Sequence, residues 1–501
     1  MNILCGYNVN IDSVYRVSGI EILELLKNFE RTEILEKIED PPGKILSESD
    51  FVAGLAYCMK NGCGAEWLVL ERTVFEFLKN RYFEKSLVRM GGNAGIMANA
   101  LSQLGASRVI PNVAVPSKIQ LSLFSGRSIY FPGSATERKG NSEAGPEKTE
   151  FGEINSKEID SEESMYAVSS SQDPIHFVFD FSKGDTFSLY GTEIIVPREN
   201  RFIATCDHLN LRLYVNPAFE KYAIEHACEI NGALISGFHL LLENYADGSS
   251  YKTILERTLC QLEGWKIENN KLRIHLELGH FTSKEIASSV FLEFAVISDS
   301  IGMNEDELAT LRYFHGVPGE EILLMEAEAV GNAAYRLASR YGLKRIVIHT
   351  REFVLTAFKP NFGLNSKPTS EDSTDFQALK KWGDFKIPGL QKMAERKLEA
   401  LKFGVSCAGV YAASGRLEGR KFVDEEVSKL QESTIGRKQL EMFLKTFNGQ
   451  AFGQGAYAFN GGYILCMLPT LLSKYPITTV GLGDTITAGI FLRELELDVQ
   501  T

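Results

Sequence analysis

Apolar and polar positions divide the chain into short strands and amphipathic helices. Ile3-Leu4-Cys5-Gly6-Tyr7 reads as a buried first strand. Residues 20–38 carry Ile22, Leu25, Leu26, Phe29 and Ile34 at helical spacing, which predicts one helix closed by Pro41-Pro42-Gly43. A second helical stretch runs from Phe51 to Met59, before Gly62-Cys63-Gly64. Trp67-Leu68-Val69-Leu70-Glu71 reads as extended, with a helix behind it to about Phe83. Val109–Val115 and Ile175–Phe181 are strand-like. From about residue 208 strand and helix patterns alternate, with strands over Gly232–Phe238, Lys271–Leu278 and Arg345–Arg351. That alternation predicts an α/β fold whose parallel sheet carries helices on both faces. Gly133–Asp173 and residues 358–386 are polar and read as exposed insertion or loop, not core.

Polar residues interrupt this pattern at a few places. Asn8, Asn10 and Asp12 alternate with Val9 and Ile11, so they share one face of an extended segment. They could grip a polyhydroxylated ligand or form an Asx-rich turn. Gly91-Gly92-Asn93 precedes a helix of small residues; it offers free amides and an amide side chain, or simply close packing. Lys183, Arg198 and Arg201 are candidate phosphate contacts, with solvated surface charge as the plain alternative. On the Lys271–Leu278 strand, His275 and Glu277 point away from Leu272, Ile274 and Leu276. A buried polar pair needs partners or a ligand. Asn304 and Glu307 have capping-box spacing, and a carboxylate there can also hold Mg²⁺ through water. His349 and Thr350, at a strand's polar end, are candidates for an adenine pocket.

The stretch Thr478-Thr479-Val480-Gly481-Leu482-Gly483-Asp484 runs into an apolar helix carrying Ile486 and Ile490. Gly481 and Gly483 suit a tight turn that a Cβ would block. First-turn amides lack intrahelical partners and share the helix dipole, so such an end accepts an anion or a transferring phosphoryl group. Asp484 beside it can take a proton from an attacking hydroxyl, or can serve only as a helix cap.

Composition narrows the classes. The chain has 501 residues, 44% of them hydrophobic, which is long for one domain and points to two, or to one with a large insertion. Lys+Arg 53 against Asp+Glu 65 gives −12, which disfavours general nucleic-acid or anionic-membrane binding. No apolar run approaches the roughly 20 residues of a bilayer span, and the N-terminal residues lack the pattern of a secretory signal. The eight cysteines are scattered, with Cys58 and Cys63 the only close pair; reduced thiols and a cytoplasmic location are expected. No G-x-x-x-x-G-K-[ST] occurs, which excludes a P-loop NTPase.

Asn8-Val9-Asn10-Ile11-Asp12, Gly91-Gly92-Asn93, Pro197–Phe202, His275-Leu276-Glu277, Asn304-x-x-Glu307 and Gly481-Leu482-Gly483-Asp484 occur in this order across nearly the whole chain. In this the chain resembles the ADP-dependent sugar kinases of the ribokinase superfamily, the ADP-dependent phosphofructokinases and glucokinases. The resemblance implies a large, doubly wound, mostly parallel α/β domain (1–12, 89–117 and 206–501) and a smaller discontinuous α/β lid (13–88 and 118–205). It implies that Asp484 is the base, with Gly481 and Gly483 shaping an anion hole and Arg201 stabilising charge on the transferring phosphoryl group. Asn8, Asn10, Asp12, Gly91, Gly92 and Asn93 would hold the sugar, and Val480, Leu482, His349 and Thr350 would line the nucleotide. Mg²⁺, or another hard divalent ion, would be held largely through water by Glu277, Glu307 and Asp484, supported by His275 and Asn304.

Lys183 and Arg198 favour fructose 6-phosphate as acceptor, whereas Glu71 favours uncharged glucose. The expected reaction moves the β-phosphate of MgADP to the 1-hydroxyl of fructose 6-phosphate, giving fructose 1,6-bisphosphate and AMP in a modified glycolysis. A glucokinase or bifunctional enzyme is the alternative; an ATP-dependent ribokinase-like kinase and a catalytically silent binder are more remote. A monomer or small homo-oligomer is expected.

Overall fold

The computed structural model describes residues 1–133, 173–314, 320–360 and 388–499. The polar stretches singled out above lie almost wholly outside these, at 134–172 and 361–387.

The larger of two main sheets has ten strands. Six are parallel neighbours, in the order Arg345–His349, Ser300–Met303, Arg273–Glu277, Gly232–Ile235, Asn2–Gly6 and Arg108–Pro111. Four antiparallel strands extend the Arg345 edge, beginning with Phe353–Phe358. The alternation legible in the sequence decides what each face touches. Ile274, Leu276, Ile301, Met303, Ile346 and Ile348 enter the largest apolar core. Arg273, His275, Glu277, Ser300 and Arg345 face the other way.

Helix Leu482–Val499 lies over that polar face, buried on nearly all sides. It crosses helix Pro388–Ser414 at Gly404 and Gly489, where a Cβ on Gly489 would come within 2.9 Å of Gly404 Cα. A glycine at each position lets the two backbones touch.

The second sheet has six strands, ordered Lys44–Ile45, Ala65–Val69, Asn200–Cys206, Ile175–Phe181, Asn10–Arg16 and Leu87–Gly91. One face packs Trp67, Phe177, Phe179 and Phe202 against helix Glu48–Asn61 and its neighbours. Gly54 on that helix is required, since a Cβ would meet the Trp67 ring at 2.5 Å. The opposite face is polar. The sheets join where strand Asn2–Gly6 continues through Asn8 into Asn10–Arg16, and where Leu87–Gly91 runs into helix Asn93–Gln103.

The single helix expected over 20–38 is two, Gly19–Leu26 and Arg31–Glu39. Asn28 turns its side-chain amide back to the Glu24 carbonyl, and Glu30 is extended, so the backbone restarts. The extended segment expected over 67–71 spans Ala65–Val69 instead. Gly232–Phe238 stops at Ile235, because Gly237 adopts φ +99.

Candidate active site

Helix Leu482–Val499 begins at the C-terminal edge of the parallel strands, the ordinary ligand edge of such a sheet. Gly481 turns the chain into it at φ +75, and a Cβ on Gly483 would stand 3.0 Å from the His349 ring. The Gly481 carbonyl is taken by the Thr485 amide and hydroxyl, which closes the first turn. The amides of Gly481, Leu482, Gly483 and Asp484 donate to no acceptor among the described residues, leaving a cluster of free N–H groups.

Asp484 is 8% exposed. Asn93 Nδ2 donates to its Oδ1 at 2.8 Å, and Asn8 Nδ2 in turn donates to Asn93 Oδ1 at 3.2 Å. Burial, aided by the charges of Glu277 and Asp12, pushes the Asp484 carboxyl up to about 6 against the pull of Asn93. Gly91 and Gly92 are needed where the chain passes the second strand. A Cβ on Gly91 would lie 2.1 Å from Asp12 Oδ1, and one on Gly92 2.5 Å from the Asn8 carbonyl. Asn10 Nδ2 donates to Asp12 Oδ1 at 2.9 Å, and Arg89 Nε stands 3.8 Å from Asp12 Oδ2.

Glu277 is enclosed by donors. His349 Nε2 is 2.6 Å from Oε1, while His275 Nε2 and Thr487 Oγ1 each lie 2.9 Å from Oε2. Burial opposes its charge, but His349 and His275 outweigh that and hold it at about 2. His349 is correspondingly raised to about 9 despite its burial. Glu307 and Asn304 form the reciprocal cap, with Asn304 N to Glu307 Oε2 and Glu307 N to Asn304 Oδ1 both at 2.9 Å. Burial and the Glu277 and Asp484 charges push Glu307 up to about 7. Three buried carboxylates thus share one basic neighbour, His349. Among the described residues no three His, Cys, Asp or Glu side chains converge closely enough to hold a metal ion directly, so a divalent cation would meet these carboxylates only through water.

The remaining expectations fall in different places. Val480 and Leu482 flank the turn, whereas Thr350 commits its hydroxyl to the hairpin that reverses at Phe353. Glu71 is an exposed helix N-cap beyond the end of its strand. Lys183 and Arg198 are exposed and form no ion pair among the described residues. Arg201 is 3.8 Å from Asp180 on the neighbouring strand.

A cluster not singled out from the sequence occupies the polar face of the second sheet. His176 is directly opposite Asp12 on one side and Thr205 on the other. Its Nε2 lies 3.2 Å from Asp207, and its Nδ1 3.6 Å from Glu66. Thr205 Oγ1 donates to Glu66 Oε1 at 2.6 Å. Burial works against the imidazolium, but Asp207 and Glu66 prevail and hold His176 at about 9. Period-2 alternation within Ala65–Val69 and Ile175–Phe181 was the signal: Glu66 and His176 are the polar residues between core-facing ones.

A buried carboxylate beside free helix-terminal amides, at the C-terminal edge of a parallel sheet and facing a second, polar sheet surface, is an arrangement suited to phosphoryl transfer in an α/β protein. The model of the ADP-specific phosphofructokinase/glucokinase conserved region matches residues 1–493, and the chain belongs to that family of ADP-dependent sugar kinases. The ADP-dependent glucose/glucosamine kinase of Pyrococcus furiosus is 27% identical over 98% of this chain and 94% of its own. The ADP-specific phosphofructokinase of Methanosarcina acetivorans is 26% identical, covering 98% and 92%. A solved ADP-dependent kinase in complex with fructose 6-phosphate and ADPβS shares the fold, with TM-score 0.69, 22% identity and coverage of 99% and 93%.

Proposed function

We propose that this kinase is an ADP-specific phosphofructokinase that moves the β-phosphoryl group of ADP to the 1-hydroxyl of fructose 6-phosphate. The observation that carries the reading is Asp484, buried, raised to about 6 and oriented by Asn93 at the open end of a helix. A base with a pKa near working pH takes the hydroxyl proton as the oxygen attacks. The free amides from Gly481 to Asp484 receive the negative charge that spreads over the phosphoryl oxygens. When bound, Mg²⁺ would neutralise the ADP phosphates, held by Glu277, Glu307 and Asp484 largely through water. His349 and His275 keep Glu277 ionised for that purpose. Asn8, Asn10, Asp12, Gly91, Gly92 and Asn93 line the sugar, while Arg201, freed from Asp180, would meet the phosphoryl group. The names of the curated relatives support ADP as donor.

Glucose is the second reading, and one observation favours it. Glu66, His176 and Asp207 converge beside Asp12, a face rich in carboxylates that accepts sugar hydroxyls and repels a phosphate. A bifunctional kinase accommodates both readings.

We further read the six-stranded sheet as a lid, with segments near 13–88 and 118–205. Pairing of strands Asn10–Arg16 and Leu87–Gly91 within that sheet supports placing both junctions a few residues outward. Closure would exclude water that wastes ADP. Eight free cysteines support a reducing cytoplasm, and no helix among the described residues is long and apolar enough to cross a membrane. We assign the enzyme to a modified glycolysis, as a monomer or small homo-oligomer. The deciding experiment compares kcat/KM for fructose 6-phosphate and glucose, each with MgADP and MgATP. Turnover with fructose 6-phosphate and MgADP is expected; turnover of glucose alone would reverse the order of acceptors, and a preference for MgATP would refute the donor.

A further inference from the structure

At the opposite, N-terminal edge of the parallel strands a pocket of about 50 Å³ opens between the sheet and the last turns of helix Leu482–Val499. Its walls carry Arg273, Arg345, Lys397, Ser300, Glu494 and Asp498. Arg273 and Glu277 end the same five-residue strand, so the pocket lies roughly 13 Å from the catalytic carboxylates at about 3.3 Å per residue.

Arg345 is 6% exposed. Its Nε donates to Thr356 Oγ1 at 3.1 Å and its Nη1 to Glu494, yet Nη2 has no partner among the described residues. An unpaired donor on a buried guanidinium is costly, because the group has left water without replacing its hydrogen bonds. Lys397 Nζ stands 3.1 Å from the other Glu494 oxygen, so one carboxylate serves two cations. Burial and the adjacent Arg345 hold the Lys397 ammonium below its usual range. Asp299, also on the wall, is already claimed by Lys266 at 2.6 Å and Lys344 at 2.8 Å. Arg273 pairs with Asp498 at the rim, where both side chains are over two-fifths exposed. Three cationic side chains, Arg273, Arg345 and Lys397, and three carboxylates, Asp299, Glu494 and Asp498, line the pocket; because Lys266 and Lys344 already neutralise Asp299, the cations facing the space are opposed only by Glu494 and Asp498.

We propose that this pocket binds one small oxyanion of the inorganic phosphate class, bridging Arg345 Nη2 and Lys397 Nζ with Arg273 at the entrance. The volume holds a few water molecules, or one tetrahedral oxyanion, but no sugar or nucleoside. The donor left over on Arg345 and the Lys397 ammonium, which shares its one carboxylate with Arg345, favour a charged acceptor over water, because a charge-assisted hydrogen bond is the stronger one. A guanidinium edge and an ammonium together match two oxygens of such an ion.

The test is calorimetric titration of the full chain with inorganic phosphate, with the catalytic cleft saturated by Mg²⁺, a non-transferable ADP analogue and fructose 6-phosphate. One phosphate per chain is expected, bound at least tenfold more weakly by Lys397→Met and severalfold more weakly by Arg273→Met. Heat no larger than dilution would overturn the proposal, as would equal binding by both variants. Phosphate-soaked crystals of the unmodified enzyme provide a check that needs no variant. Density within hydrogen-bond reach of Arg345 Nη2 is expected, and water alone there would refute the site. The crystallographic readout does not depend on which sugar the enzyme phosphorylates.

Discussion

Asn93 and Asp484, 391 positions apart, are joined by a 2.8 Å hydrogen bond from amide to carboxylate. The bond ties the helix that follows the second sheet to the helix that begins at the anion hole. It also favours the ionised carboxylate, in opposition to burial.

A pH profile follows from that opposition. Asp484 must be ionised to act as base, and its folded value is about 6, so kcat/KM should fall as pH drops below about 6. Asn93→Ala removes a stabilising donor and should move this limb to higher pH. Asp484→Asn should lower kcat by ~10³-fold above pH 6, with the deficit narrowing at lower pH, where the unmodified enzyme also loses its base. Steady-state kinetics between pH 5 and 8, about the range in which such a group titrates, would check all three. A limb unmoved in Asn93→Ala would show that the bond does not set the pKa.

Glu66, beside His176 and Thr205 on the polar face, is expected to discriminate the acceptors. Glu66→Ala should reduce kcat/KM for glucose by about 10–100-fold, as expected when a charged hydrogen-bond acceptor is lost. Turnover of fructose 6-phosphate should be changed far less. Equal losses for both sugars, measured side by side, would assign Glu66 to folding rather than recognition.

His176 ties stability to alkaline pH. Its folded pKa, about 9, lies above the ordinary 6.5. The imidazolium therefore contributes fully below about 6.5, and that contribution fades as pH rises through about 9. Tm should fall over this interval in the unmodified enzyme. In His176→Gln the decline should be shallower, and parallel melting curves would contradict the role.

Gly483 has no room for a side chain. Gly483→Ala would drive a methyl into contact with the His349 ring at 3.0 Å, displacing either the ring or the first turn. The neighbour must give by only a few tenths of an ångström, so kcat should fall by less than the roughly 10²-fold that a full 1 Å misplacement costs, with the fold retained. Circular dichroism and turnover on the same sample would separate the two effects.

Much of this site is local in origin and so was legible in the sequence. Asn304 and Glu307 cap a helix because they are three residues apart, and Gly481 turns the chain at φ +75 because it bears no Cβ, whereas Gly483 already lies in the helix. His275 and Glu277 face away from Leu272 and Ile274 by strand alternation alone. The break at Asn28 was hidden because apolar spacing continues across it, whereas a side-chain bond to the backbone ends the first helix.

The α/β class, the order of the elements and the glycine turn that opens the last helix follow from residues close along the chain. Which carboxylate stands beside Asp12 depends on strand pairing. Strand pairing turns Glu66 toward His176 and Asp12, whereas Glu71 lies beyond the strand's end in solvent. Tertiary structure also decided that Glu277 stays ionised, because His349 and Thr487 reach it from 72 and 210 residues away. Register and long-range contact set both outcomes, and neither is a property of neighbouring residues.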